Sequence, residues 1–277
     1  MRKTGRKPQA FSGSREWLVS GLAVGALGLM GGFIAVPILA LVVWTVSEEA
    51  WGAMASPVAH DALLLSMKTT AATMIILVVV GTPAAYVLAR GRFWGSRALN
   101  TLVELPIVLP PSAAGIALLL AFGRFGLAGQ YLNAFGVTLT FTTVAVVLAQ
   151  VFVAAPFYLR QASTGYAEVD RAIEEAALVD GADRTATFFK VTVPLAFPAL
   201  VAGAVTAWAR ALGEFGATII FAGNFRGITQ TIPLAIYSEF QSNIDAAVAL
   251  SVLVLGFAFA VILTVRYLTG KATEYSD

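Results

Sequence analysis

Long uncharged apolar runs alternate with short charged segments along this chain, and the runs are the length of membrane spans. About 20 mainly apolar helical residues cross a hydrocarbon layer roughly 30 Å thick. Runs of this kind lie at Trp17–Ser47, Thr69–Ala89, Leu105–Gly123, Phe141–Leu159 and Ala246–Val265. A further one starts at Val191 and is expected to continue past Arg210 and Glu214 to about Ala222. The pattern predicts an all-α polytopic membrane protein with six transmembrane helices. Continuous runs of this length are not the alternating ten-residue strands of a membrane barrel. The first run exceeds a signal peptide's apolar core and has no clear small-residue cleavage site. Residues 125–140 (FGLAGQYLNAFGVTLT) are uncharged but rich in Gly, Asn and Thr, and read as a loop. Pro106, Pro110, Pro111, Pro194 and Pro198 are expected to kink or end helices.

Charge then sets the expected orientation, through the excess of Lys and Arg in cytoplasmic segments. With the N-terminus cytoplasmic, the inside segments hold Arg2, Lys3, Arg6, Lys7, Arg15, Arg90, Arg92, Arg97, Arg160, Arg171, Arg184, Lys190, Arg266 and Lys271. The outside segments hold only Lys68, Arg124 and Arg226. Both termini are therefore expected in the cytoplasm. Residues 1–16 read as a basic tail facing anionic lipid headgroups, and 17–277 as a single transmembrane domain. Composition agrees: of 277 residues 58% are hydrophobic and 12% charged, about half the charge of a soluble domain. That excludes a soluble enzyme and a nucleic-acid partner. The chain has no cysteine and a single histidine, His60, expected in a solvated outer loop beside Asp61. Neither a thiolate nor a His-rich metal site is available.

One segment differs from all the rest. Arg160–Lys190 (RQASTGYAEVDRAIEEAALVDGADRTATFFK) concentrates charge of both signs. Glu168–Val179 reads as an amphipathic helix, with Val169, Ala172, Ile173, Ala176 and Ala177 at helical spacing. Gly181 suits a turn, and Asp183 a cap for a second helix. Such a knob offers an apolar ridge to a partner's groove. A headgroup-surface helix is the rival reading, but such helices favour Lys and Arg.

The spacing within this knob carries a resemblance. Glu175-Ala176-Ala177, three residues, Gly181, nine residues, then Val191-x-Val193-Pro194 resembles the coupling-loop signature of ABC-importer permeases. The likeness extends over about Leu63–Val265. LPIVLPPSAAGIALLLAFGR (105–124), ARALGEFGATIIFAGN (209–224) and TQTIPLAIY (229–237) resemble the molybdate/sulfate branch, and Phe215 with Ala217-Thr218 its molybdate version. The resemblance implies a type I ABC-importer permease fold in the cytoplasmic membrane of a bacterium or archaeon. It implies a homodimer, two cytoplasmic ATPase subunits and an extracytoplasmic oxyanion-binding protein. It places ATPase docking on Glu175, Ala176, Ala177, Asp180 and Gly181 of a coupling loop spanning 160–194, and transport by alternating access. The chain has no G-x-x-x-x-G-K-[ST] sequence, so no catalytic residue or cofactor is expected in it, and ATP-Mg belongs to the partner ATPase.

Arg210 and Glu214 stand out within the fifth apolar run. Charges at membrane depth are costly and are expected to be paired or to face water, and an i,i+4 spacing lets the two pair with each other. Two readings stay open, with Phe215 beside them: a translocation pathway or gate meeting an oxyanion at Arg210, or a structural pair. Residues 224–243 are a candidate contact for the binding protein. An ion-coupled transporter would need several intramembrane acids, and Glu214 is the clear one. An intramembrane hydrolase would need motifs that are absent.

Overall fold

The computed structural model describes residues 13–45, 48–91 and 93–274. Most of the basic tail, Ser47 and Arg92 therefore lie outside the described residues. Every regular element among those described is helical.

The first span forms α1 (Gly13–Trp44). No residue of its apolar stretch Gly21–Trp44 is buried; it packs on α14, near Leu41, so most of its surface is left for lipid or a neighbour. After α2 (Glu48–Met54), Ser56 caps α3 (Pro57–Ile76) by accepting the Ala59 N–H, with Pro57 in the first turn. A π-turn (Leu77–Gly81) joins α3 to α4 (Thr82–Arg90), giving one continuous span over Pro57–Arg90. The helix thus begins at Pro57, not at Thr69. The apolar run marks the hydrocarbon thickness, whereas the helix carries on into the polar layer. Two expectations change with it. His60 sits in the first helical turn, exposed, rather than in a loop, and its neighbour Asp61 accepts from Arg226 Nε at 3.0 Å. Lys68 lies within α3 at the edge of the apolar stretch, exposed, where its long stem lets the ammonium reach water.

The third run is not one straight helix. α5 (Ser96–Val108) and α6 (Pro111–Phe122) meet at 119°. Pro110 and Pro111 supply no N–H, and each pushes the residue before it out of helical geometry; Leu109 and Pro110 have ψ of 129° and 140°. α7 (Gly129–Ala134) is a short helix inside the predicted loop. α8 (Thr143–Glu168), capped by Thr142, extends well beyond the expected end at Leu159. It runs parallel to α3–α4, as three contacts in matching order show. Thr73 donates to Gln150 at 3.0 Å, Thr82 and Tyr158 hydroxyls meet at 2.6 Å, and Arg90 donates to the Val169 carbonyl at 2.6 Å. Two parallel neighbours oblige the chain to recross between them, so the bent α5–α6 pair is the third crossing and the count of six holds.

The charged segment folds as α9 (Arg171–Val179) and α10 (Arg184–Thr187), followed by a second π-turn (Phe188–Thr192) and α11 (Val193–Leu212). α11 returns antiparallel to α8, packed closely where Gly165 meets Ala199 and Gly203 meets Gln161. The fifth run then breaks. Helix stops at Leu212 and resumes as α12 (Gly216–Phe221), so the expected unbroken span through Glu214 is corrected. α13 (Ile232–Phe240) starts with Pro233 in its first turn, and α14 (Ile244–Glu274) carries the last span. Buried side chains gather in three clusters: around Tyr158 and Tyr166 between α4, α8 and α11, around Phe221 between α6, α8 and α12, and around Ile232 between α3, α13 and α14.

Candidate functional site

Two groups of predicted residues form, one at each end of α11. The first is the break. Glu214 is 1% exposed, and its Oε2 lies 2.6 Å from Nη1 of Arg210. Its Oε1 accepts the Ala217 N–H at 2.7 Å, satisfying one of the donors that a helix start leaves open. One carboxylate thus joins the end of α11 to the start of α12. Its charge is compensated from both sides, by a guanidinium and by a helix terminus. Arg210 remains 29% exposed, so part of its planar fork of donors still faces open space. Phe215, between them, turns its ring to Tyr237 of α13 at 5.1 Å between centroids.

This break abuts the other one. A Cβ on Gly216 would meet Pro111 Cβ at 2.5 Å, and one on Gly115 would meet Ile220 Cβ at 2.8 Å and Ala217 Cα at 3.0 Å. Only glycine lets the α5–α6 corner and the α11–α12 corner touch backbone to backbone. Two interrupted spans therefore meet beside the ion pair of Arg210 with the buried Glu214. Irregular backbone at membrane depth is tolerated where it is enclosed by protein or lines a watery path.

The second group is the knob. Asp170 caps α9 through the Ala172 N–H at 2.9 Å, and Asp183 caps α10 through the Ala186 N–H at 2.7 Å, the role expected of Asp183. Gly181 turns the chain between them at φ +93°, a left-handed value that costs an L side chain about 1–2 kcal/mol. No residue of α9 is buried. Ile173, Glu175, Ala176, Leu178, Val179 and Asp180 are exposed, Val179 at 86%, while Ala177 is half-buried.

Sequence reasoning missed the residues that hold the knob in place. Arg90 donates to the Val169 carbonyl and lies 3.4 Å from Glu174 Oε1, and the same oxygen accepts from the buried Thr192 hydroxyl at 2.8 Å. Above them Tyr86 meets Tyr166 and Phe188 edge to face at 5.5 and 5.0 Å, and Phe188 lies tilted against Tyr166 at 6.1 Å between centroids. Arg90 was legible only as the charge ending a span, and Glu174 only as the neighbour of Glu175. No local pattern names partners this far apart in the chain. The structure does not bring the knob to Arg210; about 30 Å of helix, the length of α11, separates them. No cluster of His, Cys, Asp and Glu able to hold a metal occurs among the described residues.

Comparison with known proteins adds a family. Residues 78–273 match the family described as binding-protein-dependent transport system inner membrane component. Among similar sequences, the molybdenum transport system permease protein ModB of Mycobacterium tuberculosis is 44% identical over 87% of this chain and 92% of its own. ModB of Escherichia coli (strain K12) is 38% identical over 73% of this chain and 89% of its own. The molybdate/tungstate permease WtpB of Pyrococcus abyssi is 32% identical over 78% and 81%. Among solved structures, a bacterial ABC transporter that imports the acidic polysaccharide alginate covers 93% of this chain and 96% of the matched one. It does so with a TM-score of 0.73 at 15% identity, a likeness of fold.

Proposed function

Because this chain belongs to the family of binding-protein-dependent transport system inner membrane components, we propose that it is the multi-pass permease of an ATP-driven importer whose cargo is molybdate. The observation that carries the cargo is the 44% identity, over most of both chains, to permeases named for molybdenum transport.

In this reading residues 17–277 form one permease domain and 160–194 its coupling loop, on the cytoplasmic side together with both termini. The Lys and Arg asymmetry of the sequence supports that orientation. Two copies enclose a shared path. α9 and the turn after it present Glu175, Ala176, Ala177, Asp180 and Gly181 to a cytoplasmic ATPase subunit that binds ATP-Mg, one per copy. Exposed Ile173 and Val179 supply the apolar ridge for its groove. An extracytoplasmic binding protein delivers the anion, as the solved alginate transporter is described in complex with a substrate-bound periplasmic protein.

Arg210, Glu214 and Phe215 then form the gate. A divalent oxyanion passing the abutting helix breaks meets the free donors of Arg210, while Glu214 keeps that guanidinium aimed and neutral in sum. The pairing favours passage over storage, because a bare cation in a low-dielectric path would hold the anion too tightly for release. Rocking of the two broken spans against each other opens the path alternately to either side.

The test is ATP-dependent uptake of radiolabelled molybdate into vesicles holding the permease, its ATPase and its binding protein, with sulfate and tungstate as competitors. Uptake that needs ATP and withstands excess sulfate is expected. Uptake abolished by sulfate moves the cargo to sulfate, and uptake driven by an ion gradient without the ATPase overturns the reading. The charge-removing Arg210→Gln is expected to lower uptake while the ATPase stays bound; unchanged uptake removes Arg210 from the path.

A further inference from the structure

The helix proposed to meet the ATPase is held to the body that must move by few side-chain bonds. None of the nine residues of α9 is buried, and its caps and turn bonds stay within the loop. Among the described residues, Glu174 is the one side chain of α9 with an ion pair or hydrogen bond to a membrane span. A single oxygen of that carboxylate meets two spans at once: Arg90 at the end of α3–α4, and Thr192 at the start of α11. Arg90 also holds the last carbonyl of the α8 segment, that of Val169. The ion pair is largely withdrawn from solvent, with Arg90 12% and Glu174 14% exposed, and Thr192 is fully buried. Charge-assisted bonds so shielded are stronger than neutral ones at a surface.

We propose that Glu174, seated on Arg90 and Thr192, is the positioning residue through which displacement of α9 is transmitted to the second and fifth spans. It rests on the reading that α9 docks an ATPase. Pulled from below, α9 passes its movement on through the chain at either end, through light packing on α10 and the π-turn, and through this carboxylate. Of these links, the Glu174 carboxylate is the one that ties the second and fifth spans to each other as well as to α9. α11 leads on to Arg210 and the break, so the same tie connects the docking surface with the candidate gate. The π-turn at Phe188–Thr192 sets Thr192 facing Glu174. Such local unwinding recurs at functional positions.

Thr192 makes the idea testable, because a buried hydroxyl cannot itself touch the ATPase. In the full permease–ATPase complex in vesicles, Thr192→Val keeps shape and volume but removes the donor, Thr192→Ser keeps the donor, and Glu174→Gln removes the charge. Retained ATPase, ATP hydrolysis and molybdate uptake are measured on each. Thr192→Val and Glu174→Gln are expected to retain and run the ATPase but to lower uptake per ATP hydrolysed about tenfold, with Thr192→Ser close to wild type. Unchanged uptake per ATP in both variants overturns the proposal. So does parallel loss of bound ATPase and uptake, since the residues would then only shape the docking surface. A wild-type complex that transports without retaining any ATPase sinks the docking reading instead, and the proposal with it.

Discussion

The knob and the break are built on opposite principles. The knob is exposed, locally encoded and fastened at one carboxylate; its helix ends are closed by Asp170 and Asp183, each bonding a backbone N–H no more than three residues away. The break is enclosed and non-local. It exists because Gly216 sits on Pro111 and Gly115 on Ala217, across a sequence distance of about a hundred residues, close contact of a kind small residues permit. In the proposed reading the knob is a surface for a partner and keeps its side chains free. The break is there proposed to move between two states and so must be packed in each, since packed interiors switch between discrete arrangements rather than deform smoothly.

This contrast breaks most easily at Glu214. Glu214→Ala leaves Arg210 without a counter-charge and Ala217 N–H without an acceptor. With Arg210 29% exposed and part of its charge screened by water, it is expected to cost about 1.5–3 kcal/mol, visible as a lower unfolding temperature in detergent. A double Arg210→Gln, Glu214→Gln variant that is no more stable than Glu214→Ala would show that the unpaired Arg210 charge is not the source of that loss. Next comes Gly216→Ala, whose methyl group must displace Pro111. Overpacking of this sort costs about 1–3 kcal/mol, and uptake is expected to fall with it; wild-type stability and uptake would mean that the two corners are not pressed together.

Effects at the knob are smaller in stability and larger in partnership. Gly181→Ala forces a methyl into φ +93°, an expected local cost of about 1–2 kcal/mol, read as faster proteolysis of the loop. Val179→Asp changes a side chain that is 86% exposed, so global stability is expected to shift by less than about 0.5 kcal/mol. Retention of the ATPase on purification is nevertheless expected to be lost. Retention unchanged by Val179→Asp would remove Val179 from the docking ridge.

The knob was therefore readable in advance, and the break was not. Caps, a left-handed glycine and helical spacing are short-range signals, so Glu175 through Gly181 could be placed from the chain alone. The i,i+4 spacing of Arg210 and Glu214 also announced their pairing, but as one turn of an uninterrupted helix, which Gly213–Phe215 is not. The apolar runs located the hydrocarbon layer yet misjudged helix ends at Pro57 and Glu168, because a helix that is packed on neighbours does not stop where the lipid stops.

Local pattern by itself determined the six crossings, the charged knob and its turn, since spanning length, charge placement and capping act within a few residues. Only the tertiary structure decided that two broken spans meet corner to corner, and that Arg90, Glu174 and Thr192 form one bonded group. Those outcomes depend on which helix faces lie opposite one another. That is a property of the packed bundle, carried by no single segment of the chain.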